Sequence, residues 1–237
     1  MKTTNVKASD LNYDHYSSDK YNQDIVNSIP FHKELHKKIN SYLKKKFKKN
    51  EKYSILDLGV GTGITSKLIQ NELPESEFDL VDFSKKMLAG CKKFFGTKNV
   101  NFIFGDYSKI KFNKKYNLIV SVIGLHHQND NGKKILFKKI YSLLKPTGVF
   151  ILGDLVTHKD PKKASLNQAL HFHHLVENSV DKKTLEEWAY HHYILNELAP
   201  IEDQVEWLRK IGFEVKIEMS KMNTALLICQ KINLQKT

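Results

Sequence analysis

Short apolar runs alternate along the chain with stretches in which apolar residues recur every three or four positions. The first helical pattern spans Pro30 to about Lys49, with lysines between its apolar positions. Further helical patterns occupy Ile64–Asn71, Lys85–Phe95 and Lys133–Leu144. Apolar runs predict strands at Tyr53–Leu58, Phe78–Val81, Val100–Phe104, Leu118–Val122 and Val149–Leu152. This alternation predicts a doubly wound α/β fold in which a mainly parallel sheet is covered on both faces.

The last third of the chain departs from the alternation. It is helical in pattern from about Lys162 to Ile211 and ends with two strand-like runs, Phe213–Glu218 and Thr224–Cys229. Because no linker separates the segments, we predict a single domain. Its parts are an N-terminal arm and helix (1–49), a ligand-binding core (50–156), a helical cap insertion (157–211) and a C-terminal hairpin (212–237).

Composition limits the cellular setting. Of the 237 residues, 41% are hydrophobic and 27% are charged, which is typical of a globular protein. No apolar run approaches the roughly 20 residues of a membrane-spanning helix, and Asp154 interrupts the richest stretch. Met1–Asp10 lacks the apolar segment of a secretory signal, and two cysteines form no disulfide framework. We therefore expect a cytoplasmic protein without a membrane partner.

The net charge of +12 raises the question of nucleic-acid binding. Arg209 is the only arginine among 38 basic residues, and lysine lacks the planar fork that reads base edges and phosphates. A cluster at Lys44–Lys49 is either a phosphate contact or the solvated face of its helix. Nucleic acid is thus the less favoured partner, and a small molecule the favoured one.

A glycine loop is the strongest functional signal. The predicted strand Ile55–Leu58 leads directly into Gly59, Gly61 and Gly63, and a helical pattern follows. Such a turn places backbone close to a ligand at the carboxyl edge of a parallel sheet. The sixth loop position is not glycine, and Asp57 precedes the loop, where its charge would repel a pyrophosphate. The pattern therefore favours a ligand that carries a positive charge.

The loop and four later segments resemble the Rossmann-like, class I S-adenosylmethionine-dependent methyltransferases. The matching segments, in order, are 57–63, 81–88, 104–107, 116–127 and 144–148, and 207–213 is similar to the approach to the family's final hairpin. Asn117 departs from the family's usual aspartate, which affects a structural hydrogen bond and no cofactor contact. The resemblance implies a seven-stranded sheet with one antiparallel strand, a small-molecule acceptor and S-adenosyl-L-methionine as cofactor.

The resemblance also implies the cofactor-binding residues. Asp82 would accept hydrogen bonds from the ribose hydroxyls, Asp106 would receive the adenine amino group, and Tyr107 would pack on the adenine ring. The full implied set is Tyr21, Asp57, Gly59, Gly61, Asp82, Phe83, Asp106, Tyr107 and Val122. An N-terminal arm with tyrosines at positions 13, 16 and 21 either folds across the cofactor or packs on the following helix.

Histidines supply the candidate catalytic groups. Methyl transfer needs positioning and exclusion of water, and it needs a base only if the acceptor must lose a proton. His126 and His127 follow the fourth strand and either serve the acceptor or cap the loop beside the cofactor. The cap adds further histidines, of which His191 is the third catalytic candidate. Two of them with Glu177 could hold a metal, but their spacing matches no strong signature, so we predict none.

The sequence thus predicts an enzyme that transfers a methyl group to a small acceptor by in-line displacement. Two alternatives stay open at this point. A tRNA or RNA base-modifying methyltransferase would account for the charge, and a non-catalytic S-adenosylmethionine-binding protein would account for the loop alone. The acceptor atom and the oligomeric state are not encoded in these patterns.

Overall fold

The structure is a computed structural model that describes residues 18–232. The helices are α1 Ser18–Ser28, α2 His32–Lys46, α3 Ile64–Glu72, α4 Lys85–Phe95, α5 Asp130–Leu143, α6 Pro161–Asn178, α7 Lys182–Tyr190 and α8 Ile201–Ile211. The strands are β1 Ser54–Leu58, β2 Glu77–Asp82, β3 Val100–Phe104, β4 Tyr116–Val122, β5 Leu144–Leu155, β6 Phe213–Lys221 and β7 Thr224–Lys231. Within this range, no helix is both long enough and apolar enough to cross a membrane.

The strands form one seven-stranded sheet in the order β3-β2-β1-β4-β5-β7-β6. Strands β1 to β5 pair in parallel, and β7 runs antiparallel to both β5 and β6. The predicted doubly wound α/β fold is confirmed. The strand order reverses between β1 and β4, and the crevice outside the carboxyl ends of two such strands is where open α/β sheets bind ligands.

Alternating side chains divide the core into two layers on opposite faces of the sheet. On β1, Leu56 packs with buried residues of α5 and α8, whereas Ile55 packs with those of α2, α3 and α4. The same alternation holds on β5, where Phe150 and Ile151 belong to opposite layers. The central strands β1, β4 and β5 are therefore buried on both faces over most of their length, which explains their almost uninterrupted apolar sequences, whereas the edge strands β3 and β6 have exposed positions.

Strand β5 begins earlier than the sequence predicts. Helix α5 ends at Leu143, and β5 starts at Leu144, five residues before the predicted start at Val149. The ladder pairs Tyr116 with Leu144 and then Leu118 with Val149. Because β5 advances further than β4 between these pairs, the intervening residues bulge from the sheet. Pro146 is tolerated there because a bulged residue needs no ladder donor.

The cap consists of α6, α7 and a π-helical turn at His191–Leu195, between β5 and α8. Asp160 and Asp181 start its two helices by accepting hydrogen bonds from the backbone N–H groups of Lys163 and Thr184, both at 2.7 Å. Helix α8, which the sequence places in the cap insertion, instead packs its apolar face under the sheet. Residues 161–195 are therefore the part of the insertion that stands over the ligand-binding edge.

Candidate active site

The glycine loop, Gly59–Gly63, turns over the carboxyl end of β2. Gly59, Gly61 and Gly63 all have left-handed backbone angles, with φ of 81°, 55° and 91°. The N–H of Gly59 donates to the carbonyl of Val81 at 2.9 Å, and the N–H of Gly61 donates to the Asp82 carboxylate at 2.8 Å. These bonds fix the loop to its neighbouring strand, and glycine is required because side chains disfavour this conformation.

Asp57 lies at the base of the loop and is 2% exposed. Its carboxylate accepts a hydrogen bond from the Ser66 hydroxyl at 2.5 Å. Burial raises the pKa of Asp57 to about 7; the Ser66 hydrogen bond opposes this shift, and the nearby Asp82 adds to it. A cation bound beside Asp57 would offset the loss of solvation, so this position selects for a positively charged ligand group.

Asp82 ends β2 and is also buried, at 5% exposure. Its two oxygens accept hydrogen bonds from the N–H groups of Gly61 and Ser84, each at 2.8 Å. Each oxygen of a carboxylate can accept more than one hydrogen bond. Phe83 follows directly and is half-buried. A carboxylate fixed in this way beside a glycine loop fits the paired hydroxyls of a ribose.

Asp106 and Tyr107 follow β3. Asp106 accepts hydrogen bonds from the Ser108 N–H and hydroxyl at 2.9 and 2.6 Å. Burial tends to raise the Asp106 pKa, but the Ser108 hydrogen bonds and the Lys109 ammonium outweigh it, so the pKa is lowered. The Tyr107 ring is buried in the core beside Gly59, and its hydroxyl donates to the carbonyl of Gly124 at 3.2 Å. Their adenine contacts stay predictions.

Helix α1 covers the glycine loop. The Tyr21 ring lies 3.7 Å from the position that a Cβ on Gly61 would occupy, and the Thr62 hydroxyl donates to the Asn22 side chain. Tyr21 and Ile25 line a loop cavity together with Asp57, Gly59, Gly61 and Val122. Tyr13 and Tyr16 lie outside the described residues. The tyrosine of the arm that the structure describes therefore adjoins the predicted cofactor site.

A second cavity, the histidine cavity, adjoins the loop cavity and is lined by His126, His191 and His192. Tyr21, Ile25 and Ile123 line both cavities. Ile123 has a φ of 53°, which is rare for a β-branched residue and is held in place by a 2.7 Å hydrogen bond from its N–H to the Gly153 carbonyl. Backbone strain of this kind concentrates at functional sites.

His126 and Asp154 form a buried pair at the histidine cavity. Their side chains are 1% and 3% exposed, and the distance from Nδ1 to the carboxylate oxygen is 2.5 Å. The carboxylate accepts the Nδ1–H, which fixes the ring orientation and leaves Nε2 as the second ring nitrogen. Sequence reasoning missed Asp154 as a functional residue. A carboxylate inside an apolar strand was the available signal, because such a group must find a buried partner.

His127 and His191 lie close to this pair. The His127 ring centroid is 4.1 Å from that of His126 and 5.1 Å from that of His191. Burial and the neighbouring imidazole of His126 hold the pKa of His127 well below its usual range, and the same causes lower the pKa of His191 to about 4. The structure thus brings the three predicted catalytic histidines together, and the lowered pKa values of His127 and His191 leave those two imidazoles uncharged at neutral pH.

Other histidines of the cap have structural contacts. His171 and His174 bond to the carbonyls of Ser28 and Asn27 at 3.2 and 2.8 Å, and so hold the end of α1 against α6. His173 pairs with Glu177 on the surface at 3.4 Å. The cap residues that the sequence suggests as metal ligands therefore lie in two separate places: His171 and His174 contact the end of α1, and His173 and Glu177 pair on the surface.

Comparison with known proteins gives consistent relatives. A family model described as a methyltransferase domain matches residues 55–148. The malonyl-[acyl-carrier protein] O-methyltransferase 2 of Ilyobacter polytropus is 41% identical over 104 residues, which are 44% of this chain and 39% of that protein. The demethylmenaquinone methyltransferase of Chlamydia caviae is 28% identical over 170 residues, covering 70% of this chain and 71% of that protein.

A solved structure resembles nearly the whole fold. The plantazolicin methyltransferase BpumL, in complex with a triazolic desmethylPZN analog and SAH, superposes with a TM-score of 0.67 at 18% identity. The match covers 90% of this chain and 89% of that one. In contrast, the chain spans only about two fifths of the length of the Ilyobacter protein. The family match ends at residue 148, before the cap, so Trp188 and His191 of the histidine cavity are interpreted from their own contacts.

Proposed function

The chain carries a class I S-adenosylmethionine-dependent methyltransferase domain at residues 55–148, and from this premise we propose that it methylates a small-molecule acceptor. The observation that carries the proposal is the contact between the two cavities. One is lined by the glycine loop and the other by histidines, and Tyr21, Ile25 and Ile123 line both. Ligands in the two cavities would meet without intervening water, as an in-line displacement requires.

The loop cavity fits S-adenosylmethionine by its donor and acceptor set. Asp82 offers acceptors for ribose hydroxyls, the left-handed glycines allow close backbone approach, and Asp57 favours the cationic methionine portion. When bound, the cofactor supplies a methyl group whose bond to sulfur breaks, with the electron pair retained by sulfur, as the bond to the acceptor forms. Tyr21 covers the loop and excludes water from that edge.

The acceptor is argued from the histidine cavity. Asp24, Trp188, His126 and His191 form part of its wall, so the lining combines a carboxylate, an indole and imidazoles. Of the described residues that line this cavity, none is lysine or arginine. We assign acceptor positioning to the imidazoles of His126, His127 and His191, with the ring of His126 held by Asp154.

An RNA acceptor is less well supported. The Lys44–Lys49 cluster spans the last turn of α2 and the segment before β1, which places it at the amino edge of the sheet, away from the glycine loop. Within the cluster, Lys44 pairs with Glu72 at 3.5 Å, and Lys48 pairs with Glu51 at 3.1 Å. These lysines are therefore neither beside the two cavities nor uniformly free for phosphate.

Calorimetric titration with S-adenosylhomocysteine tests the cofactor site. Asp82→Ala should weaken binding by about 5- to 150-fold, as for the loss of hydrogen bonds to a charged acceptor. The control is Asp203→Ala, which removes a carboxylate on α8 that pairs with Lys159. Undetectable binding to the unsubstituted protein at millimolar ligand, or equal binding by the two variants, would contradict the site.

Incubation with radiolabelled S-adenosylmethionine tests the acceptor. Small-molecule and RNA fractions of a cell extract are supplied separately, and label is expected in the small-molecule fraction. His126→Asn should abolish that label while S-adenosylhomocysteine binding is retained, because His126 lines only the second cavity. Label confined to RNA would reject the small-molecule acceptor, and no label in any fraction despite tight binding would favour a non-catalytic binding protein.

A further inference from the structure

Three imidazoles converge beside the histidine cavity, which two of them, His126 and His191, line. His126 and His127 form a 3₁₀ turn after β4, and His191 opens the π-helical turn that follows α7. One ring nitrogen from each lies within 4.8 Å of those of the other two. Among the described residues, this is the group of histidine, cysteine and acidic side chains compact enough to surround an ion.

The π-helical turn is what brings His191 to the others. It inserts extra backbone between α7 and the extended segment that leads to α8, and such turns occur frequently at functional sites. The backbone N–H of Glu197 donates to the carbonyl of His126 at 2.8 Å, and the Lys133 ammonium donates to the carbonyl of Glu197 at 2.5 Å. The end of the cap is therefore tied directly to the 3₁₀ turn, so the backbone segments that carry the three rings are held together while the side chains can still rotate.

The cluster also has the outer contacts of a metal site. Asp154 accepts the Nδ1–H of His126 at 2.5 Å, which is the carboxylate–histidine arrangement that orients a ligating imidazole and raises its basicity. Asp154 also accepts the backbone N–H of Leu155 at 2.9 Å, so the carboxylate is itself held. Asp24, on the wall of the same cavity, has a buried Oδ2 without a hydrogen-bond partner among residues 18–232.

We propose that His126, His127 and His191 bind one divalent transition-metal ion, with Zn²⁺ the best match. Neutral imidazoles are preferred zinc ligands, and a three-histidine site leaves the fourth position open to the cavity. Nitrogens bound to one tetrahedral zinc at about 2.0–2.1 Å lie about 3.4 Å apart, so side-chain rotations must close the present separations by about 1.4 Å at most. The sequence prediction of no metal considered only spacings within the cap, which do not include His126.

The proposed ion narrows the class of methyl acceptor, and this step rests on the proposed function. An open zinc position polarises an oxygen ligand and lowers its pKa. The acceptor class that fits is therefore a molecule that presents a hydroxyl or carboxylate oxygen to the ion. The proton of a hydroxyl acceptor would leave from an oxygen already coordinated, and Asp24 is the carboxylate on the cavity wall placed to receive it.

The test is metal binding by tag-free protein. After dialysis against a chelator, the protein is titrated with Zn²⁺ and, separately, with Co²⁺, whose visible absorption reports tetrahedral coordination by nitrogen. One ion per chain is expected. His127→Asn and His191→Asn should weaken Zn²⁺ binding at least about 100-fold, and Asp154→Asn about 10- to 100-fold. His173→Asn is the matched control, since His173 is exposed and pairs with Glu177.

The result separates this inference from the proposed function. Binding of S-adenosylhomocysteine is measured on the same metal-free samples and should be unchanged in every histidine variant that keeps its thermal unfolding transition. Retained S-adenosylhomocysteine binding without stoichiometric Zn²⁺ would overturn the metal site and leave the methyltransferase intact. Zinc binding that is equal in His191→Asn and His173→Asn would equally overturn it, because the ion would then lie elsewhere.

Discussion

Lowering the pH from 8 to 6 should weaken the binding of S-adenosylhomocysteine because Asp57 takes up a proton. Burial raises the pKa of this carboxyl to about 7 in the free protein. A positively charged ligand group beside Asp57 stabilises the ionised form, so binding lowers the pKa and releases a proton at pH values below 7. Affinity must therefore rise as the pH rises through 7 and level off above it.

The magnitude follows from the fraction of ionised carboxylate. With a pKa of about 7, Asp57 is about 90% ionised at pH 8 and about 10% ionised at pH 6. A ligand that requires the ionised form binds about tenfold more weakly at pH 6, which corresponds to about 1.4 kcal/mol. The nearby His32 and His36 contribute little, because burial lowers the pKa of each, for His32 to about 3.

Calorimetric titration across pH 6–8 in buffers of different ionisation enthalpy measures both the affinity and the proton released. Asp57→Asn is the control: an amide keeps a partner for the Ser66 hydroxyl, cannot ionise, and should bind weakly with no pH slope. A slope below twofold in the unsubstituted protein would refute the reasoning. An equal slope in Asp57→Asn would assign the proton to the ligand or to another side chain.

Three further predictions concern stability in urea. Gly63→Ala should lower the free energy of unfolding by about 2–4 kcal/mol, because residue 63 has a positive φ and the added Cβ would lie 2.8 Å from Cys91 Sγ. In a Cys91→Ala background the loss should be only about 1 kcal/mol, and equal losses in the two backgrounds would exclude the clash. Asn117→Asp should add about 0.5–1.5 kcal/mol at pH 7, because the Asn117 oxygen accepts from Ser54 N–H and Lys145 Nζ at 3.0 and 2.9 Å, and the gain should vanish at pH 3, where the carboxyl is protonated. Burial lowers the pKa of Lys133 to about 8, so the folded state holds this proton less tightly than the unfolded chain does. The free energy of unfolding of the unsubstituted protein, relative to that of Lys133→Met, should therefore rise by about 1–3 kcal/mol from pH 8 to 10. A difference that stays constant with pH would contradict the lowered pKa.

The centre of the sheet was predictable because strands β1, β4 and β5 are buried on both faces over most of their length. Apolar runs such as Leu118–Val122 must pair within a covered sheet, whatever the rest of the chain does. Boundaries were less predictable where a contact from another element decides them. Leu144 fits the period of the preceding helix, but pairing with Tyr116 draws it into β5.

Residues of the glycine loop could be predicted for a local reason. Asp57 and Gly61 are neighbours in sequence, and the geometry of one strand–turn–helix unit fixes their positions. Tyr107 shows the limit of such reasoning. Its ring is buried in the core with residues of α5 and lies beside Gly59, contacts between distant segments that the sequence does not encode, and its adenine contact stays a prediction.

The histidine cavity could not be predicted because its walls come from distant parts of the chain. Helix α1 supplies Tyr21 and Asp24, and the cap supplies Trp188 and His191. The bonds that hold these segments together, from His171 and His174 to the carbonyls at the end of α1, join residues 143 and 147 positions apart. No periodicity encodes a contact of that range. Since α1 also covers the glycine loop through Asn22, one short helix forms a wall of both cavities. A change in the packing of α1 on the cap must therefore alter cofactor and acceptor binding together, whereas a change at Asp82 or His126 alters one of them alone.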